Sequence, residues 1–153
     1  MTAIDQPIPD FSLPTTSNKT IKFSDLKGKN IVLYFYPKDC TPGCTRESQD
    51  FRDQIKEFDK LNTVIFGVSR DNLKLHEKFK QQENLPFELI SDTNEELCQA
   101  YKVINPKTMY GKLLHGIERS TFLIDAKGVL RKEWRKVKVD GHVAEVLAAV
   151  KSL

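Results

Sequence analysis

The stretch "NIVLYFYPKDCTPGC", residues 30–44, joins a continuous apolar and aromatic run to a polar turn that carries two cysteines. An uninterrupted apolar run of this length is typical of a central strand that is buried on both faces. From Thr45 to Leu61 apolar residues recur at helical spacing with charges between them, which predicts one long amphipathic helix. The end of a buried strand therefore leads directly into the cysteines and then into a helix.

Strand and helix patterns alternate on both sides of this stretch. Before it, "FSLPTTSNKTIKF" predicts a hairpin of two short strands around a polar turn. After it, "TVIFGVS", "PFELIS" and "STFLID" predict strands that are separated by helices, and a last helix ends the chain. This order predicts an α/β protein of the thioredoxin-like class, with a central mixed sheet, an N-terminal hairpin extension and flanking helices. No linker divides residues 1–153, so we expect a single domain.

Aspartates mark the predicted starts of three helices, because a short side-chain oxygen can accept from the free N–H groups of the first turn. Asp71 is the candidate N-cap of the helix that follows "TVIFGVS". Asp92 is followed three residues later by Glu95, which completes an Asp variant of the capping box. Asp140 is the candidate N-cap of the last helix.

The composition excludes several classes of protein. With 39% hydrophobic and 29% charged residues, the chain has the composition of an ordinary soluble globule. The longest apolar run is too short to span a bilayer, and the N-terminus lacks the pattern of a secretory signal, so we expect a cytoplasmic protein without membrane binding. Basic residues around Trp134 alternate in sequence as on a half-exposed edge strand, so we expect no nucleic-acid binding. Three cysteines indicate free, redox or catalytic thiols.

The polar turn places one cysteine inside the following helix. Thr41 is a candidate N-cap, Pro42 fits the first helical position and Cys44 falls at the third. A cysteine reacts as the thiolate, and an ordinary thiol is only about 3% ionised at pH 7. Unpaired N–H groups and the positive end of the helix dipole favour the thiolate at Cys44, whereas Cys40 lies outside the helix. Cys44 is therefore the predicted reactive thiol.

Ionisation alone has a ceiling, because going from about 3% to full thiolate gains only roughly thirtyfold in rate. Arg119 opens the predicted strand "STFLID" and is a candidate for stabilising both the thiolate and the negative charge that develops in the reaction. Glu47, one helical turn after Cys44, is a candidate partner that holds the guanidinium in place. The alternatives are a surface arginine and a solvated glutamate.

The residues around Cys44 resemble the peroxiredoxin active-site pattern Pro-x-x-x-Thr-x-x-Cys, with Pro37 and Thr41 at the other two fixed positions. The segment "YGKLLHGIERSTFLID" resembles the part of that family that carries its essential arginine, here Arg119. The match covers nearly the whole chain and is closest to the Q-type peroxiredoxins, also called bacterioferritin comigratory proteins. The resemblance implies a thioredoxin fold and an antioxidant peroxidase that needs no cofactor and reduces hydrogen peroxide and organic hydroperoxides.

The same resemblance implies a role for each of these residues. Cys44 would attack the distal peroxide oxygen and become a sulfenic acid. Thr41 would hydrogen-bond the peroxide, and Arg119 would polarise it and stabilise the leaving oxygen. Pro37 would shield the sulfenate from water, and Glu47 would orient the arginine.

How the sulfenic acid is recycled is left open. Many members of the family carry a resolving cysteine five residues after the reactive one, but here that residue is Gln49. Three routes remain, namely Cys40, Cys98 or an external thiol, with thioredoxin or glutaredoxin and glutathione as the expected reductants. Cys40 can bond Cys44 only if the first turn of the helix unwinds. For the oligomeric state we expect a monomer or a weak dimer.

Other classes of protein use similar cysteines. A copper-delivery protein of the same fold would offer Cys40, Cys44 and His142 as soft-metal ligands, although that chemistry requires neither Thr41 nor Arg119. His142 is more simply a first-turn residue of the last helix. A cysteine hydrolase would pair Cys44 with a histidine base, and the spacing supports none of the three histidines. In a noncatalytic thiol protein or holdase chaperone, Cys44 would be dispensable.

Overall fold

A computed structural model describes residues 2–109 and 111–153. Nine strands, five α-helices and a short 3₁₀-helix over Phe23–Leu26 lie in this part of the chain. The strands are β1 (Ser12–Thr15), β2 (Lys19–Lys22), β3 (Asn30–Phe35), β4 (Thr63–Ser69), β5 (Glu88–Ser91), β6 (Ile104–Met109), β7 (Lys112–Ile117), β8 (Ser120–Ile124) and β9 (Leu130–Trp134). The helices are α1 (Pro42–Asp53), α2 (Ile55–Lys60), α3 (Leu73–Glu83), α4 (Glu96–Ala100) and α5 (His142–Lys151).

The strand before the cysteines lies at the centre of the larger sheet. This sheet has the order β2-β1-β5-β4-β3-β8-β9. Strand β3 is parallel to β4 on one side and antiparallel to β8 on the other. Phe35 at the end of β3 pairs with Ser120 at the start of β8. The predicted mixed sheet, the N-terminal hairpin of β1 and β2 and the flanking helices are confirmed.

Side chains of β3 alternate between two cores, because successive residues of a strand face opposite sides of the sheet. Val32 and Tyr34 enter a core that is covered by α1, α2, α3 and α5. Leu33 and Phe35 enter the opposite core, to which α4 contributes. All four side chains are fully buried, so the prediction of a strand buried on both faces is confirmed.

The prediction of one long helix after the cysteines is wrong, because the helix is interrupted at Gln54 between α1 and α2. The N–H of Gln54 donates to the carbonyl of Phe51, three residues back instead of four, and this bond tightens the turn. Phe51 and Phe58 nevertheless enter the same core on either side of the break, with ring centroids 6.0 Å apart. Apolar spacing therefore does not reveal the interruption.

Two of the predicted helix caps are wrong by one residue. Asn72 caps α3 by accepting a hydrogen bond from the N–H of Leu75, whereas the carboxylate of Asp71 accepts from the Ser69 hydroxyl. Gly141 precedes α5 in the left-handed conformation. Asp140, the predicted cap, forms an ion pair with Arg46 instead. In both places the aspartate has another partner.

The start of α4 differs from the predicted capping box. Glu95, not Asp92, is the residue before the helix, and it adopts a left-handed conformation. The carboxylate of Asp92 still accepts hydrogen bonds from the N–H groups of Leu97 and Cys98, at 3.1 and 2.8 Å. Asp92 is nearly fully buried, so it does the work of a cap from three residues earlier in the chain.

Strands β6 and β7 form a separate antiparallel hairpin that the sequence analysis did not predict. Pro106 lies in β6, and a proline weakens the pattern by which a strand is recognised. The hairpin leads through Glu118 and Arg119 into β8. Among the residues that the structure describes, no helix has both the length and the apolar character needed to cross a membrane.

Candidate active site

The N-terminus of α1 forms one wall of the site. Thr41 is the N-cap with extended backbone, Pro42 occupies the first helical position and Cys44 the third, as predicted. The Thr41 hydroxyl does not cap the helix, because it donates to the carbonyl of Lys38 at 2.8 Å. Cys44 is only 1% exposed, so its sulfur is buried in the first turn, where free N–H groups and the helix dipole favour an anion.

The guanidinium of Arg119 bridges Cys44 and Glu47. Its Nη2 donates to the Cys44 sulfur at 3.2 Å, and its Nη1 donates to Oε1 of Glu47 at 2.7 Å. The Glu47 side chain is fully buried and that of Arg119 is only 17% exposed. Neither a surface arginine nor a solvated glutamate describes these positions.

Burial sets the electrostatics of this bridge. It raises the pKa of Glu47 to about 7, although the charge of Arg119 acts in the opposite direction. Burial also opposes the charge of Arg119, but Glu47 and Cys44 outweigh it and raise the pKa of the guanidinium. Oε2 of Glu47 is buried with no hydrogen-bond partner among the described residues. The bridge thus combines a permanent cation with a carboxyl group that titrates near neutral pH.

The sheet and the helix start fix the guanidinium from two sides. Arg119 lies directly before β8, and its carbonyl accepts a hydrogen bond from the N–H of Val137 at 3.0 Å. At Gly43 a Cβ atom would lie 3.3 Å from Nη2 of Arg119, which is a tight contact. The glycine therefore leaves room for the guanidinium beside α1. The sequence analysis did not single out Gly43, since a Thr-Pro-Gly turn explains a glycine by itself.

Two of the predicted residues lie at the surface. Pro37 follows β3 and is exposed, and its shielding role stays a prediction. Cys40 is also exposed and has a left-handed backbone with φ of 63°, which a residue with a side chain seldom adopts. Its thiol is 3.6 Å from Oε1 of Gln82 in α3. Slight desolvation of the thiol, and then the carboxylate of Asp39, raise the pKa of Cys40, so this side chain is a neutral thiol at pH 7.

The central sheet separates Cys98 from Cys44. Cys44 belongs to the core beneath α1, whereas Cys98 belongs to the core on the other face of the sheet, together with Leu33 and Phe35. Burial, followed by the nearby Asp92 carboxylate, raises the pKa of the Cys98 thiol well above its ordinary value. In this position Cys98 packs as a small apolar side chain.

The position of His142 matches the simpler of its two interpretations, because it is the first residue of α5. Its Nε2 lies 2.7 Å from the Thr121 hydroxyl. Burial, and then the charge of Arg119, lower the pKa of His142 to about 4. A Cu(I) ion on Cys44 would have to lie beside the same guanidinium, whose charge repels a cation. This geometry does not favour the predicted copper alternative.

A buried pair behind the cysteine turn was missed by the sequence analysis. Nδ1 of His76 in α3 lies 2.6 Å from Oδ2 of Asp39, and both side chains are almost completely buried. The sequence around Asp39 predicts a polar turn, and His76 lies among charged residues of a predicted helix. Neither pattern predicts burial.

Comparison with known proteins gives consistent matches over nearly the full length. A model of the AhpC/TSA family matches residues 4–133. Peroxiredoxin Bcp of Bacillus subtilis (strain 168) is 54% identical over 150 residues, which cover 98% of this chain and 96% of that protein.

Solved structures agree with these sequence matches. Peroxiredoxin Q of Xanthomonas campestris superimposes with a TM-score of 0.90 at 47% identity, covering 93% of this chain and 90% of that chain. A structure described for the alkyl peroxide reduction activity of the X. campestris bacterioferritin comigratory protein gives the same TM-score and coverage at 46% identity. None of these three relatives is described as a copper-delivery protein.

Proposed function

This chain belongs to the AhpC/TSA family as a Q-type peroxiredoxin, and from that premise we propose that Cys44 is the thiol that the peroxide oxidises. The protein is a thiol-dependent peroxidase, so its substrate is a peroxide and its reductant is a thiol. The contact of 3.2 Å between Arg119 Nη2 and the Cys44 sulfur carries the assignment. This contact supports the proposal, because it brings a cation to the sulfur that we expect to react.

The chemistry is a displacement at oxygen. The Cys44 thiolate attacks one peroxide oxygen, an S–O bond forms and the O–O bond breaks, and the electron pair leaves with the second oxygen. Sulfur is oxidised to a sulfenic acid, and the leaving oxygen takes up a proton from solvent, so the peroxide is reduced to water or an alcohol. Negative charge moves from sulfur to the leaving oxygen, and Arg119 is placed to stabilise it throughout.

Thr41 is suited to orient the peroxide. Its hydroxyl proton is already donated to the Lys38 carbonyl, so its oxygen is left as an acceptor. A hydroperoxide that donates its O–H to this oxygen would lie at the N-terminus of α1, beside Cys44. We propose hydrogen peroxide and organic hydroperoxides as the substrates, because the relative from X. campestris is described for alkyl peroxide reduction.

Glu47 is proposed to hold Arg119 in its bridging position, and this makes a prediction about pH. Because the pKa of Glu47 is about 7, the carboxylate that anchors Arg119 is lost as the pH falls through that value. In Glu47→Gln this titration is absent, and we expect Cys44 oxidation near pH 8 to be slower by about tenfold. The ratio of the wild-type and variant rates in stopped-flow measurements should shrink toward about pH 6. A ratio that is independent of pH would contradict the role of Glu47.

Ionised Glu47 is expected to speed Cys44 oxidation, but it lowers the stability of the folded protein. Its pKa in the folded protein lies above the ordinary value of 4.5, so the folded state binds this proton more tightly than the unfolded state. Stability is therefore lost as the pH rises from 4.5 through about 7. Glu47→Gln should raise the free energy of unfolding near pH 8 by up to about 3 kcal/mol, with little change near pH 5. Urea unfolding at both pH values tests this, and equal stabilities near pH 8 would exclude a buried ionised Glu47.

For recycling we propose direct reduction of the Cys44 sulfenic acid by an external thiol. Cys98 is buried on the opposite face of the sheet, and Gln49 is held by a hydrogen bond to Glu83 at 2.7 Å. Cys40 stays the internal alternative, because it is exposed and adjoins the N-cap of α1. That route needs the first helical turn to unwind, since intact helix geometry turns the two side chains apart.

Peptide mapping after one equivalent of peroxide, without added thiol, separates these routes. We expect dimedone to trap the sulfenic acid at Cys44 without an intramolecular crosslink. Cys40→Ser and Cys98→Ser serve as matched variants, and we expect both to retain turnover with an external thiol. A crosslink between Cys44 and Cys40, together with slow turnover of Cys40→Ser, would show that Cys40 is the resolving residue.

We also propose that the reductant is thioredoxin, or glutaredoxin with glutathione, and that the protein is cytoplasmic. For the oligomeric state we propose a monomer or a weak dimer. Support for the last comes from the surface, where the described residues expose only four large apolar side chains, two of them in the first turn of α3. They are Ile4, Leu73, Leu75 and Leu153. Peroxide consumption with each reducing system, and sedimentation velocity of the reduced protein, test these assignments.

A further inference from the structure

The loop between β3 and α1 has two buried residues, Tyr36 directly after the strand and Asp39 further along. Within residues 37–41 only Asp39 is buried, at 4% exposure. This loop carries Cys40 and Thr41 and determines where α1 begins, and therefore where the Cys44 sulfur lies. Whatever holds Asp39 also holds the active-site loop.

Asp39 is held by three hydrogen bonds. Its Oδ1 accepts from the Tyr36 hydroxyl at 2.6 Å, and its Oδ2 lies 2.6 Å from Nδ1 of His76. Its backbone N–H donates to Oδ2 of Asp71 at 2.7 Å, and Asp71 in turn accepts from the Ser69 hydroxyl. The loop is thus attached to α3 and to the end of β4, rather than to α1.

The His76 ring bonds at both of its nitrogens. Nε2 lies 2.9 Å from the carbonyl of Ile90, which can only accept, so this nitrogen carries a proton. Nδ1 faces the Asp39 carboxylate, which also only accepts when it is ionised. The ring therefore links Asp39 to β5 through its two nitrogens. Removing His76 leaves the buried Asp39 carboxyl group without one of its two side-chain partners, and an unpartnered buried polar group is costly.

The cluster of Asp39, Asp71 and His76 could alternatively be interpreted as a metal site. The candidate ligand atoms of Asp39, Asp71 and His76 lie within 4.8 Å of one another. Each of these side chains, however, is already engaged in the hydrogen bonds given above. A cation would have to displace them, so the cluster is better explained as an anchor.

The loop needs such an anchor. Cys40 directly follows Asp39 and adopts a left-handed backbone, a conformation that persists only when the surroundings impose it. If the anchor at Asp39 were lost, the Cys40 backbone would leave its left-handed conformation, and the N-cap at Thr41 would move with it.

We propose that His76 is a positioning residue that, through Asp39, keeps the loop closed and the Cys44 sulfur against Arg119. The inference rests on the proposed role of Cys44 as the reactive thiol. An open loop takes the sulfur away from Arg119 and exposes it to a reducing thiol. The two half-reactions should therefore respond differently, because oxidation needs the closed loop and reduction does not.

His76→Leu removes both ring nitrogens, and His76→Asn restores a polar group near the position of Nδ1. Val103→Ala, in the core on the opposite face of the sheet, is a control for lost stability. In His76→Leu we expect single-turnover oxidation of Cys44 by hydrogen peroxide to slow about tenfold or more. Reduction of the sulfenic acid by dithiothreitol should not slow. His76→Asn should recover most of the oxidation rate.

Amide hydrogen exchange tests the anchor without any peroxide. The N–H of Thr45, which donates to the Thr41 carbonyl in the first turn of α1, should exchange faster in His76→Leu than in Val103→Ala. Equal oxidation rates or equal exchange in these two variants would overturn the inference. If His76→Leu does not fold, Tyr36→Phe removes one donor to Asp39 and should give the same pattern with smaller amplitude, and an unchanged loop would again overturn it. If hydrogen peroxide does not oxidise Cys44 in the wild-type protein, the proposed role of Cys44 itself is wrong.

Discussion

Cys44→Ser is expected to abolish peroxide turnover and to leave the fold intact. A serine hydroxyl fills almost the same buried volume at the third position of α1, but it does not ionise near neutral pH and does not form a sulfenic acid. The rate of peroxide consumption should fall by at least about 10³-fold, as is found when an enzymatic nucleophile is removed. The measurement is peroxide loss in the presence of excess dithiothreitol.

Cys98→Ser is the matched control for this experiment. It makes the same change of one atom at a buried cysteine, but on the opposite face of the sheet. We expect wild-type turnover from it, with circular dichroism showing a folded protein for both variants. Peroxide consumption by Cys44→Ser at the wild-type rate would mean that another group carries the reaction.

The second large effect is expected from Arg119→Lys. Lysine keeps the charge but loses the planar fork that reaches the Cys44 sulfur and Glu47 at the same time. Loss of one donor to a developing oxyanion costs about 10²–10³ in rate, which exceeds the roughly thirtyfold available from ionisation of the thiol. Stopped-flow oxidation of Cys44 at matched thiolate fraction measures this directly.

Arg46→Lys is a suitable control, because Arg46 is an exposed arginine of α1 that pairs with Asp50 and Asp140. The same substitution there should leave the oxidation rate unchanged. If Arg119→Lys oxidised as fast as the wild type at equal thiolate fraction, Arg119 would have no part in the transition state.

Local signals predicted the helix start well. Thr41, Pro42 and Cys44 take the expected helical positions, because caps and a first-position proline depend on neighbouring residues alone. The bridge to Arg119 spans 72 and 75 residues of sequence, and spacing alone left a surface arginine as an open alternative. The residue types made this contact a candidate, and the family resemblance favoured it. The structure forms it because pairing of β3 with β8 brings the two segments together.

Other features depend on tertiary contacts that no local pattern records. Asp140 had the residue type of a cap, but the ion pair with Arg46 and the left-handed Gly141 decided the start of α5. His76 lies in a polar helix segment, and its burial becomes evident only when Asp39 and Ile90 are seen beside it. A tertiary partner outweighed the local preference in each case.

The attachment of Arg119 to the sheet bears on how the enzyme avoids damage by its own substrate. Because Arg119 directly precedes a strand paired with β3, it would stay in place if the first turn of α1 unwound. A sulfenic acid carried away by that turn loses the group that activates a second peroxide, and a second oxidation would give the irreversible sulfinic acid. If Cys44 is the thiol that the peroxide oxidises, a motion that presents the oxidised sulfur to a reductant would therefore also slow its over-oxidation. An arginine fixed by the sheet beside a cysteine on a helix turn that unwinds would in this way limit inactivation.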